Sequence, residues 1–161
     1  MNALPPLPYQ SEVDGVWKQG ESDGGSRNNL ELFSRNPQYL LTFKDKTSFA
    51  NDRFSKNSVS STMTLCHITL ERKQTDRATL HIAFFVYETD NLIEVLPPEY
   101  FLCVSPTASS GSFVNRSKVE GRYKLKIGAY MIIPATFLPF SSGTFTLTVS
   151  ADYPLMLTSI S

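Results

Sequence analysis

The chain has 161 residues, a length that supports one domain with a substantial core but not two. Fifteen basic and fifteen acidic side chains give a formal net charge of zero, which argues against a nucleic-acid partner and against an enzyme for strongly acidic substrates. No apolar run has the length of a membrane-spanning helix, and no secretory signal peptide opens the chain. Cys66 and Cys103 lack CxxC spacing, so we expect free thiols and an intracellular location, cytoplasmic with the nucleus as a second option.

Short β-rich runs separated by turn signals make up most of the chain, while helical periodicity is nearly absent. Proline-rich residues 1–12 are interpreted as a linker, and 13–161 as one folded domain. The pattern predicts an all-β fold, an antiparallel β-sandwich of about eight strands. The predicted strands cover 37–43, 62–70, 78–88, 100–105, 111–115, 129–133, 143–150 and 154–160, with a long polar loop at 44–61.

The strands at 62–70 and 78–88 are predicted to form a hairpin centred on Gln74. In this register apolar side chains face each other on one side of the pair and histidines on the other. The predicted pairs are Ile68 with Leu80, Cys66 with Ile82, and His67 with His81. Further along, Gly128 is predicted to relieve a turn, and Pro134 to end the strand at 129–133 because it lacks a ladder donor.

Thiol catalysis is disfavoured, because the neighbours Cys66 and His67 point to opposite faces of a strand and cannot form a nucleophile–base pair. A small buried cysteine is the favoured interpretation of both thiols. A histidine pair supplies two metal ligands where a zinc site needs about four. An ordinary surface pair is therefore favoured for His67 and His81.

Two charged segments are the remaining candidate sites. The most acidic window offers a weak calcium-binding or partner-binding loop, although a solvated loop is favoured. The basic residues at the predicted hairpin tip are candidates for contact with an anionic membrane surface, although a solvated turn is favoured. The acidic residues are Glu88, Asp90, Glu94 and Glu99, and the basic residues are Arg72, Lys73 and Arg77.

Residues 15–29, GVWKQGESDGGSRNN, followed by LFSRNPQYLL, resemble the start of the C2-like domain (domain III) of calpains. Residues 110–115 and 121–150 resemble the end of that domain. We interpret this start as a structural corner, in which the tryptophan fills the core and the paired glycines allow unusual backbone angles. The side chains of Arg27, Asn28 and Asn29 are expected to form hydrogen bonds with the backbone of this corner. The structural motif comprises Trp17, Gly24, Gly25, Arg27, Asn28, Pro37, Tyr39 and Pro134. Other matching positions are Gly15, Gly20, Ser22, Phe33, Asn36 and Gln38.

The chain departs from the calpain pattern at several points. Asp23 and Ser26 stand where the family commonly has alanine and cysteine. The loop 44–61 is mainly basic, whereas conventional calpains carry an acidic run there, which argues against calcium switching by this loop. The protease motifs and EF-hand loops of calpains are absent. The resemblance extends to the atypical PalB-like branch, whose members end in tandem C2-like domains without EF-hands.

The resemblance implies a non-catalytic regulatory or interaction module of a calpain-type cysteine protease. Such a module packs on the protease core of the same polypeptide and docks protein partners or substrates. No cofactor is expected, and calcium is not favoured. The alternative is a membrane-targeting C2 module, with or without calcium, that makes peripheral contact with phospholipid. A third interpretation, that the chain is itself a thiol enzyme, is disfavoured for the reason given above.

Overall fold

The computed structural model describes residues 7–18, 21–22, 24–43, 62–75, 80–89, 94–137 and 142–160. Within these residues, nine strands and two short helices form two antiparallel sheets, which confirms the predicted all-β sandwich. The strands are β1 (Tyr9–Trp17), β2 (Tyr39–Phe43), β3 (Met63–Thr75), β4 (Ile82–Glu88), β5 (Ala108–Ser109), β6 (Lys118–Lys126), β7 (Ala129–Thr136), β8 (Gly143–Ala151) and β9 (Leu155–Ser159). The helices are α1 (Leu30–Phe33) and α2 (Pro98–Cys103).

Alternating side chains build the core between the two sheets. Sheet A has the strand order β1-β8-β3-β6, and sheet B has the order β5-β4-β7-β2-β9. Along β8, every second residue is buried and the residues between them are half-buried, the pattern of a strand with one face on the core. Buried residues of both sheets meet in this core, among them Trp17, Leu41, Ile68, Ile82, Phe145 and Leu147.

A second apolar cluster covers the outer face of sheet B. Strand β7 is buried on both faces, since Tyr130 and Ile132 point into the main core while Met131 and Ile133 pack outward. Phe33 of α1 and other apolar residues close this outer cluster, which also contains Leu40, Tyr87, Leu96, Phe101 and Ala135. The helices therefore form a third layer, and the outer face of sheet A faces solvent.

The predicted hairpin between residues 62–70 and 78–88 is wrong. Strand β3 pairs with β6 and β8 in sheet A, and β4 pairs with β5 and β7 in sheet B. Both edges of β3 are occupied by other strands, so no edge is left for β4. As a result His67 lies opposite Arg122 and Ser150, not His81.

Several element boundaries also differ from the prediction. Residues 98–103 form α2 rather than a strand, because Pro98 suits the first turn of a helix and Phe101 turns into the outer cluster. Residues 111–115 contribute one isolated bridge, from Val114 to Ile82. Residues 9–12, assigned to the linker, pair with β8 as part of β1. Strand β6 was also missed, because its lysines weaken the apolar signal.

Pro134 does not end β7, which continues to Thr136. The Pro134 carbonyl accepts a hydrogen bond from Trp17 Nε1 at 3.2 Å, so it points away from β4. In a strand, the N–H and the carbonyl of one residue point to the same side, so the N–H that Pro134 lacks would also have pointed away from β4. On that side the pairing of β2 with β7 stops at Tyr39 and Ile132, so the proline removes no ladder bond.

The register of β8 predicts a sharp difference between neighbouring substitutions. Leu147→Ala removes a fully buried side chain and should lower the free energy of unfolding by about 2–5 kcal/mol. Thr148→Ala, on the half-buried outer face, should change it by less than about 0.5 kcal/mol. Urea unfolding followed by tryptophan fluorescence measures both, and equal losses would contradict the register.

Candidate functional site

The Gly24–Gly25 corner is held by one buried side chain. Gly25 has a φ of +79°, which favours glycine. A Cβ at Gly24 would lie 1.7 Å from the Leu32 carbonyl oxygen, so a side chain there would collide with α1. Asn36 Oδ1 accepts a hydrogen bond from the Gly24 N–H at 3.0 Å, and its Nδ2 donates to the Gly25 carbonyl at 2.8 Å. The loop before α1 is thereby fixed to the segment that follows it.

A second pair of contacts fixes the segment that carries α2. The buried Gln38 side chain accepts a hydrogen bond from the Leu96 N–H at 2.7 Å and donates to the Leu96 carbonyl at 3.1 Å. Arg27 Nη2 donates to the Phe101 carbonyl at 3.0 Å. The two side chains hold both ends of this segment on the outer face of sheet B.

The structural-motif residues divide between core and surface. Trp17 is fully buried, with its ring centroid 4.5 Å from that of Phe145, and Pro37 and Tyr39 are also buried. Burial of the Tyr39 phenol, with the charge of Asp14 nearby, raises its pKa to about 12. Asn28, in contrast, is exposed, and its backbone N–H donates to Ser26 Oγ.

The side chains that tie the corner differ partly from those expected. Asn29 caps α1 by accepting from the Leu32 N–H at 3.2 Å, and Arg27 reaches α2, but the buried backbone contacts belong to Asn36 and Gln38. Both matched the calpain pattern without being selected as site residues. An available signal was the Asn-Pro-Gln run, where two amides flank a proline just before an apolar strand.

The fixed helix leaves an apolar surface open to solvent. On α2, Leu102 is 75% exposed and Glu99 and Cys103 are also exposed, and Val95, which precedes the helix, is 43% exposed. We call these four residues the α2 surface. Leu102 is the most exposed large apolar side chain among the described residues, and it lies on a segment anchored by buried hydrogen bonds.

The two thiols occupy different environments. Cys66 is buried in the main core, where burial and the nearby charge of Asp152 raise the pKa of its thiol to about 12. Such a thiol is almost entirely protonated at neutral pH and is a poor nucleophile. Cys103 is exposed on the α2 surface, so the expectation that both cysteines are buried is wrong for this one. Asp152 itself, which sequence reasoning did not select, accepts a hydrogen bond from the Leu65 N–H at 2.9 Å.

His67 belongs to a polar group on the outer face of sheet A. Its Nε2 lies 2.9 Å from Glu120 Oε1, and its Nδ1 accepts from Arg122 Nε at 3.2 Å. Since the arginine nitrogen only donates, Nδ1 is the acceptor in this contact. These three residues and Gly121 line a wide, open cavity of about 560 Å³.

The predicted charged candidates do not converge on one site. Glu88 lies 3.9 Å from Lys126 Nζ, and Glu94 and Glu99 are exposed. No group of three or more histidine, cysteine or acidic side chains within the described ranges is placed to hold a metal ion. Asp90 and Arg77 lie outside those ranges. Arg72 donates to the Leu80 carbonyl, and Lys73 pairs with Glu71 at 3.1 Å, so both also make contacts within the protein.

The fold defines the class of protein. It is a β-sandwich domain whose loops are fixed by buried side-chain hydrogen bonds and in which the α2 surface and the outer face of sheet A are exposed. In the part of the chain that the structure describes, no helix is long and apolar enough to cross a membrane. Residues 13–150 match the family described as calpain large subunit, domain III. The chain belongs to this family. Domain III of calpains is a non-catalytic domain of a cysteine protease.

Relatives with similar sequences are calpains from several animals. The chain is 30% identical to the calpain-2 catalytic subunit of Bos taurus, covering 91% of this chain and 22% of the relative. It is 32% identical to calpain-B of Drosophila melanogaster, covering 88% of this chain and 15% of that protein. For calpain-8 of Homo sapiens, identity is 27%, with 86% and 21% covered. The chain thus spans about a fifth or less of the length of these relatives.

Removing the buried amide of Asn36 should destabilise the domain strongly. In Asn36→Ala, the buried Gly24 N–H and Gly25 carbonyl both lose a partner, and we expect a loss of about 2–4 kcal/mol in the free energy of unfolding. Asn28→Ala is the matched control and should lose less than about 0.5 kcal/mol, because its side chain is exposed. Chemical unfolding of both variants measures this, and a larger loss for Asn28→Ala would contradict it.

The thiols should react at very different rates. At pH 8, a chromogenic disulfide reagent should modify Cys103 rapidly, while Cys66 reacts only after denaturant is added, because it is buried and its pKa is raised. The Cys103→Ser variant should therefore show no fast phase in the native state. A fast phase in that variant would show that Cys66 is accessible and would revive the thiol interpretation.

Proposed function

We propose that this chain is a non-catalytic docking module of a calpain-type cysteine protease. It packs against the protease core of the same polypeptide and holds protein partners or substrates near it. The observation that carries this proposal is the α2 surface, in which Leu102 is 75% exposed on a segment anchored by Gln38 and Arg27. Family membership supports the calpain context. Action without calcium and an intracellular, cytoplasmic location are further parts of the proposal.

The physical basis is preorganisation. Binding through an apolar side chain is favoured when the supporting backbone is ordered before contact, because less conformational entropy is lost. The buried Gln38–Leu96 hydrogen bonds provide that order within the same segment as Leu102. A leucine at the centre of an interface buries apolar surface worth about 1.5–3 kcal/mol.

A direct test compares two single substitutions. Leu102→Asp should weaken binding to the separately expressed protease core of its own polypeptide by at least about tenfold, because it places a charge at the centre of the contact. Met156→Asp is the matched control, since Met156 is 63% exposed but lies on strand β9. Its binding should be unchanged. Titration calorimetry measures affinity, and circular dichroism checks that both variants are folded.

The membrane alternative is separated by co-sedimentation with phosphatidylserine vesicles, with and without calcium. The docking proposal expects the chain to stay in the supernatant in both conditions. Strong pelleting together with unchanged core binding by Leu102→Asp would transfer the assignment to a membrane-targeting module. Calcium-dependent pelleting would in addition show a cation site on the chain.

A further inference from the structure

Charge is divided across the solvent-facing side of sheet A. One edge strand, β1, presents acidic side chains on this face, and the other edge strand, β6, presents mostly basic ones. The two edges are three strand spacings apart, about 14 Å. Between them lie β8, with uncharged hydroxyl side chains, and β3, with His67, Glu71 and Lys73. The acidic residues are Glu12 and Asp14, and the basic residues are Lys118, Arg122, Lys124 and Lys126.

The basic side chains of β6 are only partly neutralised. Among the described residues, neither Lys118 nor Lys124 forms an ion pair, and both are exposed. Lys126 is 3.9 Å from the Glu88 carboxylate, a long contact at the surface that contributes little. Arg122 is held against the sheet by its hydrogen bond to His67. The positions 122, 124 and 126 therefore form a row of cations, spaced about 6.8 Å apart along the strand.

The same strand has an unpaired edge. Strand β6 pairs with β3 on one side, and no strand among the described residues pairs with its other side. The backbone N–H and carbonyl groups on that side can accept an additional strand. Side chains of an added strand would lie about 4.5–5.5 Å from their β6 neighbours on the same face.

We infer that β6 binds an extended acidic protein segment as a further strand of sheet A. Its acidic side chains, at every second position, face Arg122, Lys124 and Lys126. Lysines on an edge strand discourage pairing with neutral or basic strands, and the same charges favour an acidic one. The inference rests on the proposed docking role, for which it names the chemistry of one partner, but it uses a surface separate from the α2 surface.

The shape of the charge pattern favours a peptide over a membrane. A flat anionic bilayer lying on this face would meet the basic row and Lys73 together with the acidic side chains of the face, which are Glu12, Asp14, Glu71 and Glu120. A single added strand lies beside β6 alone and meets mainly its cations. The attraction for the peptide is therefore larger than for a surface that spans the whole sheet.

The test uses a fluorescent nine-residue peptide that alternates threonine and glutamate. We expect saturable binding with a Kd below about 1 mM, weakened by added salt. Lys124→Glu should weaken binding by at least about threefold, because an attractive cross-strand pair becomes repulsive. Lys73→Glu, the same charge change on the same face but in central strand β3, should leave the affinity within about twofold, since Lys73 is not beside the added strand.

Two further measurements make the outcome decisive. A peptide with N-methyl groups on alternate residues keeps every charge but loses the strand hydrogen bonds, and it should not bind. Equal binding of that peptide, or equal weakening by Lys73→Glu, would overturn strand addition. Pelleting of the chain with phosphatidylserine vesicles that is lost in Lys124→Glu, without peptide binding, would assign the surface to a membrane and also overturn it. Because no protease core is present, these results are independent of the Leu102→Asp experiment.

Discussion

Two buried amide side chains hold the helical layer of this domain on its β-sandwich. Asn36 satisfies the backbone of the Gly24–Gly25 corner, and Gln38 satisfies that of Leu96. An amide can donate and accept at once, which is what a buried loop backbone requires where no strand is available to pair with it. An apolar residue at either position would leave buried backbone groups without partners, each at a cost of about 1–3 kcal/mol.

This constraint decides which faces of the molecule are open. Because the corner and α2 cover the outer face of sheet B, β7 is buried on both sides and contributes to two apolar clusters. Sheet A keeps its outer face in solvent, and the outward side chains of its edge strands are mostly charged or polar. The domain thus offers two distinct kinds of surface, an apolar one on α2 and a charged one along β6.

Much of the architecture could be predicted from local pattern. The runs at 129–133 and 143–150 were correctly predicted as strands, which in the structure are β7, buried on both faces, and β8, with one face on the core. The paired glycines and Trp17 correctly indicated a corner with a core anchor. Strand β6 was missed because four basic side chains alternate with only a few apolar ones, so charge concealed the period of two. The helix α2 was missed because six residues are too few to show helical periodicity.

The sequence by itself determined the β class, the inward face of β3 and the family, because each depends on residues close together in the chain. Only the tertiary structure decided the strand neighbours. The alternation of apolar and polar residues specifies which face of β3 is buried. That burial is compatible with β3 pairing at its edges with β4 and equally with β6 and β8. The choice depends on how both sheets close over one core, and that is a property of the whole chain. For the same reason, only the fold placed the basic side chains of β6 beside a sheet edge that no strand of the described residues covers, and His67 beside Glu120 and Arg122.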